Sequence, residues 1–371
     1  MLSIQQKGSN VMKKAFLALA DGTVFEGKSL GAIGTTIGEI VFTTGMTGYV
    51  ETITDPTYAG QIVTMTYPII GNYGVNREDC QSSGAQVKGL IMKECAAYPN
   101  NFRSEEDLEE FLISENVIAI TGIDTRALTK MIRTHGAMNG MITTEEPFSF
   151  EEHKDAIQSY KVGFLADEVT CKEPYTVGEG NIHVAMMDYG LKKSILESLA
   201  SKGVTVTVYP AKTKAEVVLA QNPDGIMLSN GPGNPEDYTE EIAEIKKLMA
   251  SGKPFFGVCL GHQLAALAMG GKTEKLKFGH RGANQPVKDL KRDQTFVTVQ
   301  NHGYTVVTDS LDASLAEITH INLNDQSVEG IRYKNLPAFT LQFHPDSKPG
   351  AKSSKYLFEE FISMMGGNCN A

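Results

Sequence analysis

Short apolar runs alternate with longer amphipathic stretches between residues 182 and 269, and this alternation restricts the possible fold more than any other feature. The apolar runs predict strands at 182–187, 204–209, 225–228 and 255–258. The amphipathic stretches predict helices at 191–202, 213–221, 235–250 and 262–269. Continuously apolar strands separated by helices are typical of a parallel sheet that helices cover on both faces. Such sheets bind ligands at the carboxyl ends of their strands, so we expect functional residues there.

Cys259 follows the last of these four strands, in the stretch PFFGVCLGHQLAALAMGG at 254–271. Gly257 and Gly261 flank it with the spacing of Gly-x-Ser-x-Gly turns, which expose a hydrolase nucleophile between a strand and a helix. A thiol at the start of a helix faces unpaired N–H groups, so we expect a lowered pKa and a raised reactivity. A small buried cysteine in an ordinary turn also fits these residues, and this stretch alone does not separate the two interpretations.

Two further segments follow predicted strands and are candidates for the same site. The segment SNGPGNP at 229–235 can turn backbone N–H groups towards a ligand. His344 and Asp346 follow a predicted strand at 338–343, and a carboxylate that holds a histidine in one tautomer lets that histidine serve a nucleophile. Three other histidines are alternatives to His344. His262 is predicted on a helix face, His280 in a glycine-flanked loop, and His302 in a turn where it can contact substrate.

The chain before residue 142 is mixed and mainly β, and no catalytic constellation stands out in it. The predicted elements are a hairpin around Asp21-Gly22 with strands at 17–20 and 24–25, further strands at 39–43 and 61–67, and helices at 104–115 and 124–135. The segment 54–58 is by default a polar turn. A loose connector at 177–181 separates two predicted domains, 12–177 and 182–371. The end of the chain predicts strands at 295–300, 304–308, 315–322 and 338–343 and a helix at 353–365.

Composition excludes several classes of protein. The 371 residues carry a formal net charge of -10, which argues against a nucleic acid or an anionic membrane as partner. The cysteines are scattered along the chain: Cys80, Cys95, Cys171, Cys259 and Cys369. They include no C-x-x-C pair, so they predict neither a disulfide framework nor a metal site, and they fit a protein of the reducing cytoplasm. The apolar run at 15–20 is too short for a signal peptide, and no stretch approaches the roughly 20 apolar residues of a membrane helix. Residues 1–11 are predicted to be a tail without a structural role.

Three separated motifs in the second half of the chain occur in the order found in class I glutamine amidotransferases. This half of the chain therefore resembles that family. They are SNGPG at 229–233, GVCLGHQ at 257–263 and HPD at 344–346. The first half resembles the small (glutaminase) subunits of glutamine-dependent carbamoyl phosphate synthetases. That resemblance is carried by GMTGY at 45–49, TDP at 54–56, TYP at 66–68 with GN at 71–72, IDTR at 123–126, KFGH at 277–280 and QNHG at 300–303. The resemblance covers nearly the whole chain, from about residue 15 to residue 365.

The resemblance implies an α/β fold. A mixed, mainly β N-terminal domain would precede a class I glutamine amidotransferase domain with a central, largely parallel sheet flanked by helices. It also implies hydrolysis of L-glutamine to glutamate and ammonia, and passage of the ammonia to a large synthetase subunit. That partner would make carbamoyl phosphate from bicarbonate and ATP, with magnesium, for arginine or pyrimidine synthesis, which the sequence does not distinguish. No cofactor and no metal are expected in this chain.

The resemblance also implies roles for individual residues. Cys259 would attack the amide carbon, His344 would move the protons and Asp346 would orient His344. The N–H groups of Leu260 and Gly231 would form the oxyanion hole. The implied substrate contacts are Thr57, Gly231, Gly233, Leu260, Gln263, Asn301, Gly303 and Tyr304.

Three positions depart from the family pattern. Asp346 stands where glutamate is usual, Thr57 where serine is more frequent, and Lys348 where a small residue is common. The shorter carboxylate leaves an alternative open, a non-catalytic or attenuated regulatory subunit with the same fold. A glutaminase of another synthetase is disfavoured, because those proteins lack an N-terminal domain of this kind.

Overall fold

The computed structural model describes residues 13–346 and 354–367, which form a barrel followed by an open sheet. The predictions made for residues 1–11, for Lys348 and for Cys369 lie outside the described residues. Within the described ranges, no helix combines the length and the apolar character needed to cross a membrane.

The first part of the chain builds the barrel. Its strands are β1 (Lys14–Leu19), β2 (Val24–Gly31), β3 (Thr35–Thr43), β4 (Gln61–Met65), β5 (Ile69–Ile70), β6 (Gly89–Ile91), β7 (Glu94–Cys95), β8 (Ile118–Thr121) and β9 (Met138–Thr143). In the described residues the barrel closes in the order β1-β2-β8-β6-β4-β3-β9, while β5 and β7 pair with each other. The predicted hairpin is confirmed, because β1 and β2 pair antiparallel on either side of Gly22, which adopts φ 91°.

The helices of this part are α1 (Tyr49–Thr54), α2 (Leu108–Ser114), α3 (Thr125–His135), α4 (Phe150–Ser159) and α5 (Ala166–Val169). The prediction for α3 is confirmed: the Asp124 side chain caps the N–H of Ala127, and the helix ends at Gly136, where φ is 100°. The helix predicted at 104–115 begins later. Asp107 caps it, whereas the hydroxyl of Ser104 donates to the carbonyl of Glu106.

The second part of the chain builds the open sheet. Its strands are β10 (Tyr175–Val177), β11 (Ile182–Asp188), β12 (Val204–Pro210), β13 (Gly225–Leu228), β14 (Phe255–Val258), β15 (Thr273–Asp289), β16 (Gln294–Val306), β17 (Ala316–Asn322), β18 (Val328–Tyr333) and β19 (Ala338–Leu341). Its helices are α6 (Lys193–Ala200), α7 (Ala215–Ala220), α8 (Thr239–Ala250), α9 (Leu260–Ala268) and α10 (Tyr356–Met364). The described strands lie in the order β10-β12-β11-β13-β14-β19-β18-β17-β15-β16. Five neighbouring strands of this sheet are parallel, namely β12, β11, β13, β14 and β19, which confirms the predicted α/β fold.

Successive residues of the parallel strands enter two different cores. Met186 and Phe256 pack in a cluster that includes residues of α6 and α10, whereas Met187 and Phe255 pack in a cluster that includes residues of α8 and α9. Both faces of these strands are therefore covered by helices. This is why the central strands β13 and β14 carry no polar side chain, whereas β12, nearer the side of the sheet, alternates valine with threonine.

The predictions are wrong around β15 and β16, which form a long antiparallel hairpin. The strands predicted at 295–300 and 304–308 are one strand, so His302 does not lie in a turn, and His280 pairs with it from β15. The glycines and polar residues here favour turns locally, but register shifts in β15 absorb the irregularity. The helix predicted at 235–250 begins only at Thr239, after a short 3-10 turn.

The barrel and the sheet contact each other through β15, β16 and α6. The N–H of Ala137 donates to the carbonyl of Lys277 at 2.8 Å, and the N–H of Lys193 donates to that of Gln81 at 2.8 Å. β10 pairs with β12, so the sheet begins before the predicted connector at 177–181. The domain bounds 12–177 and 182–371 stay a prediction.

Candidate active site

Four neighbouring parallel strands end at one edge of the sheet, and groups that follow each of them meet there. These strands lie in the order β11-β13-β14-β19. The segments that follow them lead to Lys192, to the turn at 229–235, to Cys259, and to His344 with Asp346. The carboxyl ends of parallel strands are where sheets of this kind bind ligands, so these groups form the candidate site.

Cys259 lies at the apex of a sharp turn between β14 and α9. Its backbone adopts φ 53° and ψ -105°, a conformation that residues with a side chain rarely take. A Cβ atom at Gly257 would lie 2.8 Å from the carbonyl oxygen of Gly261, and one at Gly261 would lie 2.6 Å from the Cβ of Leu228. Close packing therefore requires both glycines, and the turn has the geometry of a nucleophile elbow.

Cys259 opens onto a cavity of about 510 Å³. Seven of the eight implied substrate contacts line the same cavity: Thr57, Gly231, Gly233, Gln263, Asn301, Gly303 and Tyr304. The eighth, Leu260, packs its side chain against Gly231, and its backbone N–H interacts with the sulfur of Cys259. The cavity volume is within the range of sites for small molecules.

Thr57 closes this cavity from the barrel side. It lies in a 3-10 turn, Pro56–Tyr58, that is capped by Asp55. The Thr57 hydroxyl donates to Oδ1 of Asp55 at 2.6 Å and accepts from Nδ2 of Asn301 at 2.7 Å. A segment with the local pattern of an ordinary polar turn is therefore buried between barrel and sheet. Only the family resemblance indicated it.

His344 and Asp346 are neighbours without a hydrogen bond between them. Nδ1 of His344 lies 4.0 Å from Oδ1 of Asp346, and neither ring nitrogen has a hydrogen-bond partner among the described residues. Asp346 instead accepts at Oδ2 from Nζ of Lys192 at 3.1 Å and from Oγ of Ser194 at 2.7 Å. The sequence analysis missed Lys192 and Ser194. The signal that could have found them is their place just after β11, at the carboxyl edge of the sheet.

Cys259 and His344 face two different cavities. His344 lines a smaller one of about 30 Å³, together with Asp55 and Tyr58 of the barrel. Asn301 lines both cavities, and its carbonyl oxygen accepts a hydrogen bond from the Cys259 thiol at 3.6 Å. The thiol is therefore bonded to the wall between the cavities and, within the described part of the chain, not to His344.

Burial determines which groups at this site are charged. It raises the pKa of Cys259 to about 12, the Asp55 carboxylate adds to the rise, and the N–H of Leu260 opposes it. The predicted lowering of this pKa is wrong for this state, because loss of water outweighs the helix N-terminus. Burial lowers the pKa of His344 to about 4, and the Lys192 ammonium acts in the same direction. Burial alone would raise the pKa of Asp346, but Lys192 and His344 hold it below its usual range.

The chain matches two family models. "Carbamoyl-phosphate synthase small chain, CPSase domain" covers residues 17–142, and "Glutamine amidotransferase class-I" covers residues 185–364. The carbamoyl phosphate synthase small chain of Clostridium perfringens is 51% identical over 350 residues, which are 94% of this chain and 99% of that protein. The chain belongs to the carbamoyl phosphate synthase small-chain family.

Other members of the small-chain family are similarly close. The small chain of Syntrophotalea carbinolica is 48% identical over 372 residues, covering 96% of this chain and 98% of that one. A solved structure of a candidate GMP synthase component from Thermoplasma acidophilum is 20% identical, covers 50% of this chain and 94% of that one, and has a TM-score of 0.44. The small-chain relatives confirm the family resemblance. The roles of individual residues stay proposals.

One buried polar cluster of this small chain is formed by residues of β15, β16 and β18 whose types could hold a metal ion, His280, His302 and Glu329. Gln300 occupies its centre, with Oε1 at 3.2 Å from Nδ1 of His280 and 2.8 Å from Nε2 of His302, while Nε2 donates to Glu329 at 2.9 Å. Burial alone would lower the pKa of His280, but Asp325 and Glu329 raise it to about 9. Because Gln300 lies among these three residues and pairs with each of them, we interpret the cluster as hydrogen-bonded support for β16.

The neutral thiol predicts a simple pH dependence for alkylation of Cys259 in the isolated small chain. Iodoacetamide reacts with the thiolate, so the rate should rise about tenfold per pH unit between about pH 6 and pH 9, without a plateau. The measurement is the rate of modification of the Cys259 peptide by mass spectrometry. A rate that is nearly constant over this range would mean that the thiol and imidazole already form an ion pair.

Proposed function

We propose that this chain hydrolyses L-glutamine to glutamate and ammonia through a thioester on Cys259. The observation that carries the proposal is the position of Cys259, at a strained elbow on a cavity lined by seven of the eight implied glutamine contacts. The match of residues 185–364 to the class I glutamine amidotransferase model supports it.

The reaction would begin with addition of the Cys259 sulfur to the side-chain amide carbon, while His344 takes the thiol proton. The oxyanion would accept hydrogen bonds from the N–H groups of Leu260 and Gly231, worth about 3 kcal/mol of barrier for each donor. The carbon–nitrogen bond then breaks, and His344 returns its proton to the nitrogen, so that ammonia leaves and a γ-glutamyl thioester remains. His344 next takes a proton from water. The hydroxide adds to the thioester carbon, and the thiol is reprotonated as glutamate leaves.

Asp346 would stabilise the imidazolium that His344 forms twice in this cycle. Its Oδ2 is held by Lys192 and Ser194, which leaves Oδ1 on the side of His344, at 4.0 Å from Nδ1. A movement of about 1 Å would bring the two atoms to hydrogen-bond distance, and displacements of this size change turnover strongly.

We further propose that the ammonia passes to a large synthetase subunit. The relatives are named small chains, which implies a larger partner. That partner would use ATP and magnesium to make carbamoyl phosphate from bicarbonate, for arginine or pyrimidine synthesis. This chain would need no cofactor, because thiol and imidazole chemistry suffices to hydrolyse an amide.

We expect low glutaminase activity from the isolated chain and an increase of about 100-fold when the synthetase subunit is bound and turning over. The reason is that His344 makes no hydrogen bond to Cys259 or Asp346 among the described residues, so a rearrangement must complete this geometry, and about 1 Å is enough to matter. The measurement is glutamate release at saturating glutamine, with and without the partner, bicarbonate and ATP. Full activity of the isolated chain would contradict this expectation.

A glutamine analogue that carries a diazoketone in place of the amide tests the proposed function directly. We expect it to label Cys259 and to abolish synthesis from glutamine, while the assembled complex still uses added ammonia. Mass spectrometry identifies the labelled peptide. A label on Cys80, Cys95, Cys171 or Cys369 would overturn the assignment of the nucleophile.

One observation favours a second candidate, an attenuated or non-catalytic regulatory subunit. It is the 4.0 Å gap between His344 and the shortened carboxylate of Asp346, with both ring nitrogens unpartnered in the described residues. This candidate predicts that glutamate release stays low even when the synthetase subunit is bound, so the comparison with and without the partner separates the two.

A further inference from the structure

Ser194 lies between Asp346 and a residue of the barrel, Gln81. Ser194 belongs to the first turn of α6 and is 1% exposed, and Gln81 is 2% exposed. Oγ of Ser194 lies 2.7 Å from Oδ2 of Asp346 and 2.5 Å from Oε1 of Gln81. Neither Ser194 nor Gln81 lines either of the two cavities of the site, and the reaction described above gives Gln81 no role.

The Ser194 hydroxyl has one hydrogen for these two acceptors. Gln81 does not supply a second hydrogen, because its Nε2 donates to the carbonyl of Asp79 at 3.1 Å and so turns Oε1 towards Ser194. Asp346 does not supply one either. The Lys192 ammonium donates to the same Oδ2 at 3.1 Å, and an adjacent cation favours the ionised carboxylate. Ser194 therefore donates to Asp346 or to Gln81, and the two hydrogen bonds are alternatives.

The choice of acceptor changes how firmly Asp346 is held. When Ser194 donates to Asp346, both Ser194 and Lys192 restrain Oδ2, while Oδ1 lies 4.0 Å from Nδ1 of His344 and has no hydrogen-bond partner among the described residues. When Ser194 donates to Gln81, Oδ2 loses one of these two donors. A buried carboxylate that loses a donor gains from a new one, and the nearby N–H of a protonated His344 can provide it.

Gln81 is tied by its backbone to both parts of the chain. Its N–H donates to Oγ1 of Thr54 at 2.9 Å, at the end of α1 in the barrel part. Its carbonyl accepts from the N–H of Lys193 at 2.8 Å, at the start of α6. The distance between Oε1 of Gln81 and Ser194 therefore depends on how the barrel lies against α6.

We propose that Ser194 and Gln81 are positioning residues for Asp346, an inference that rests on the proposed function. Ser194 restrains the carboxylate away from His344, and transfer of the Ser194 hydrogen bond to Gln81 releases the carboxylate towards His344. The pair thereby couples the contact between barrel and sheet to the orientation of His344. Because neither residue lines the cavity onto which Cys259 opens, the pair should act on kcat for glutamine and not on KM.

Replacing Ser194 with alanine tests the restraint. In the isolated full chain, Ser194→Ala should raise kcat for glutamate release by about tenfold and leave KM within about twofold, because Asp346 is then free to approach His344. In the chain assembled with its synthetase subunit, the gain should shrink to less than about threefold, since the carboxylate is already released. The measurement is steady-state glutamate release over a range of glutamine concentrations.

Replacing Gln81 with methionine tests the alternative acceptor. Gln81→Met keeps the length of the side chain but removes Oε1, so the Ser194 hydrogen stays on Asp346. This variant should lower kcat of the assembled complex by about fivefold and leave the isolated chain within about twofold. The two substitutions thus have effects of opposite sign. Loss of a merely structural support would instead lower the activity in both variants.

Ser198→Ala is the matched control, one turn further along α6. The Ser198 hydroxyl donates to the carbonyl of Ser194 at 2.6 Å, so its loss disturbs the same helix without removing a donor to Asp346. This control should keep glutamate release within about twofold. A second comparison places Ser194→Ala in the Asp346→Asn chain, where it should change glutamate release by less than about twofold, because Ser194 acts through Asp346.

Several results would overturn the inference. They are a fall or no change of kcat in the isolated Ser194→Ala chain, an equal gain in the Asp346→Asn chain, and no loss in the assembled Gln81→Met complex. Ser194→Cys keeps the size of the side chain with a weak S–H donor, so it repeats the test if alanine prevents folding. It should raise kcat of the isolated chain in the same direction.

Proton NMR of the isolated chain provides a readout that needs no turnover. A hydrogen bond from Nδ1 of His344 to Asp346 gives a downfield N–H resonance, which His344→Asn identifies by its absence. We expect this resonance to be stronger in Ser194→Ala than in the natural chain, and equal intensities would overturn the inference. Absence of ammonia release by the natural complex would instead overturn the proposed function.

Discussion

Replacing Cys259 with serine is expected to lower carbamoyl phosphate synthesis from glutamine by at least about 10³-fold in the assembled complex. A serine hydroxyl at this elbow ionises far less readily than a thiol, and His344 is a weak base because burial and Lys192 lower its pKa to about 4. Synthesis from added ammonia should stay within about twofold, since the synthetase subunit then needs no glutaminase. The measurement is carbamoyl phosphate formed from glutamine or from an ammonium salt.

Cys171→Ser is the matched control for this substitution. Cys171 packs against the same hydrophobic cluster as Cys259, and burial also raises its pKa to about 12, but it does not line the cavity. This variant should keep both activities. If Cys259→Ser retained more than about a tenth of the glutamine-dependent rate, the nucleophile would have to be sought elsewhere.

The second large effect is expected for His344→Asn, which should lower glutamate release by about 10³-fold or more. Asparagine is polar and similar in size, but it cannot accept the thiol proton or return it to the leaving nitrogen. The measurement is steady-state glutamate release by the reconstituted complex. Retention of more than a few per cent of the activity would show that another group, or water, transfers these protons.

Substitutions of Asp346 should have smaller effects that report on the missing hydrogen bond. Asp346→Asn should lower glutamate release by about tenfold to 100-fold, less than in a serine triad, because a thiol depends less on the orienting carboxylate. Asp346→Glu should change it by less than about tenfold, because its extra methylene can span part of the 4.0 Å gap to Nδ1 of His344.

The buried pair of His320 and Asp289, separated by 3.7 Å, offers a matched control outside the two cavities. Asp289→Asn should leave glutamate release within about twofold.

A rise of about 100-fold in glutamate release in Asp346→Glu would mean that the natural chain is an attenuated glutaminase, and would favour the regulatory alternative.

Local sequence determined the parallel half of the sheet and the place of the nucleophile. The strand predicted at 225–228 coincides with β13, and the Cys259 turn follows β14 as expected, because continuous apolar runs and flanking glycines act over a few residues. The capped helix α3 was predictable for the same reason. The order of three motifs was enough to indicate the family, since each motif is short and contiguous.

Only the tertiary structure decided the surroundings of those motifs. Lys192 and Ser194 reach Asp346 across more than 150 positions of sequence, and Asn301 reaches Thr57 across 244. The raised pKa of Cys259 is a consequence of burial, which depends on how the barrel covers the sheet. Neither long-range pairing nor loss of water has a local signature in sequence. The charge state of the site and the missing hydrogen bond between His344 and Asp346 were therefore not predictable from the sequence.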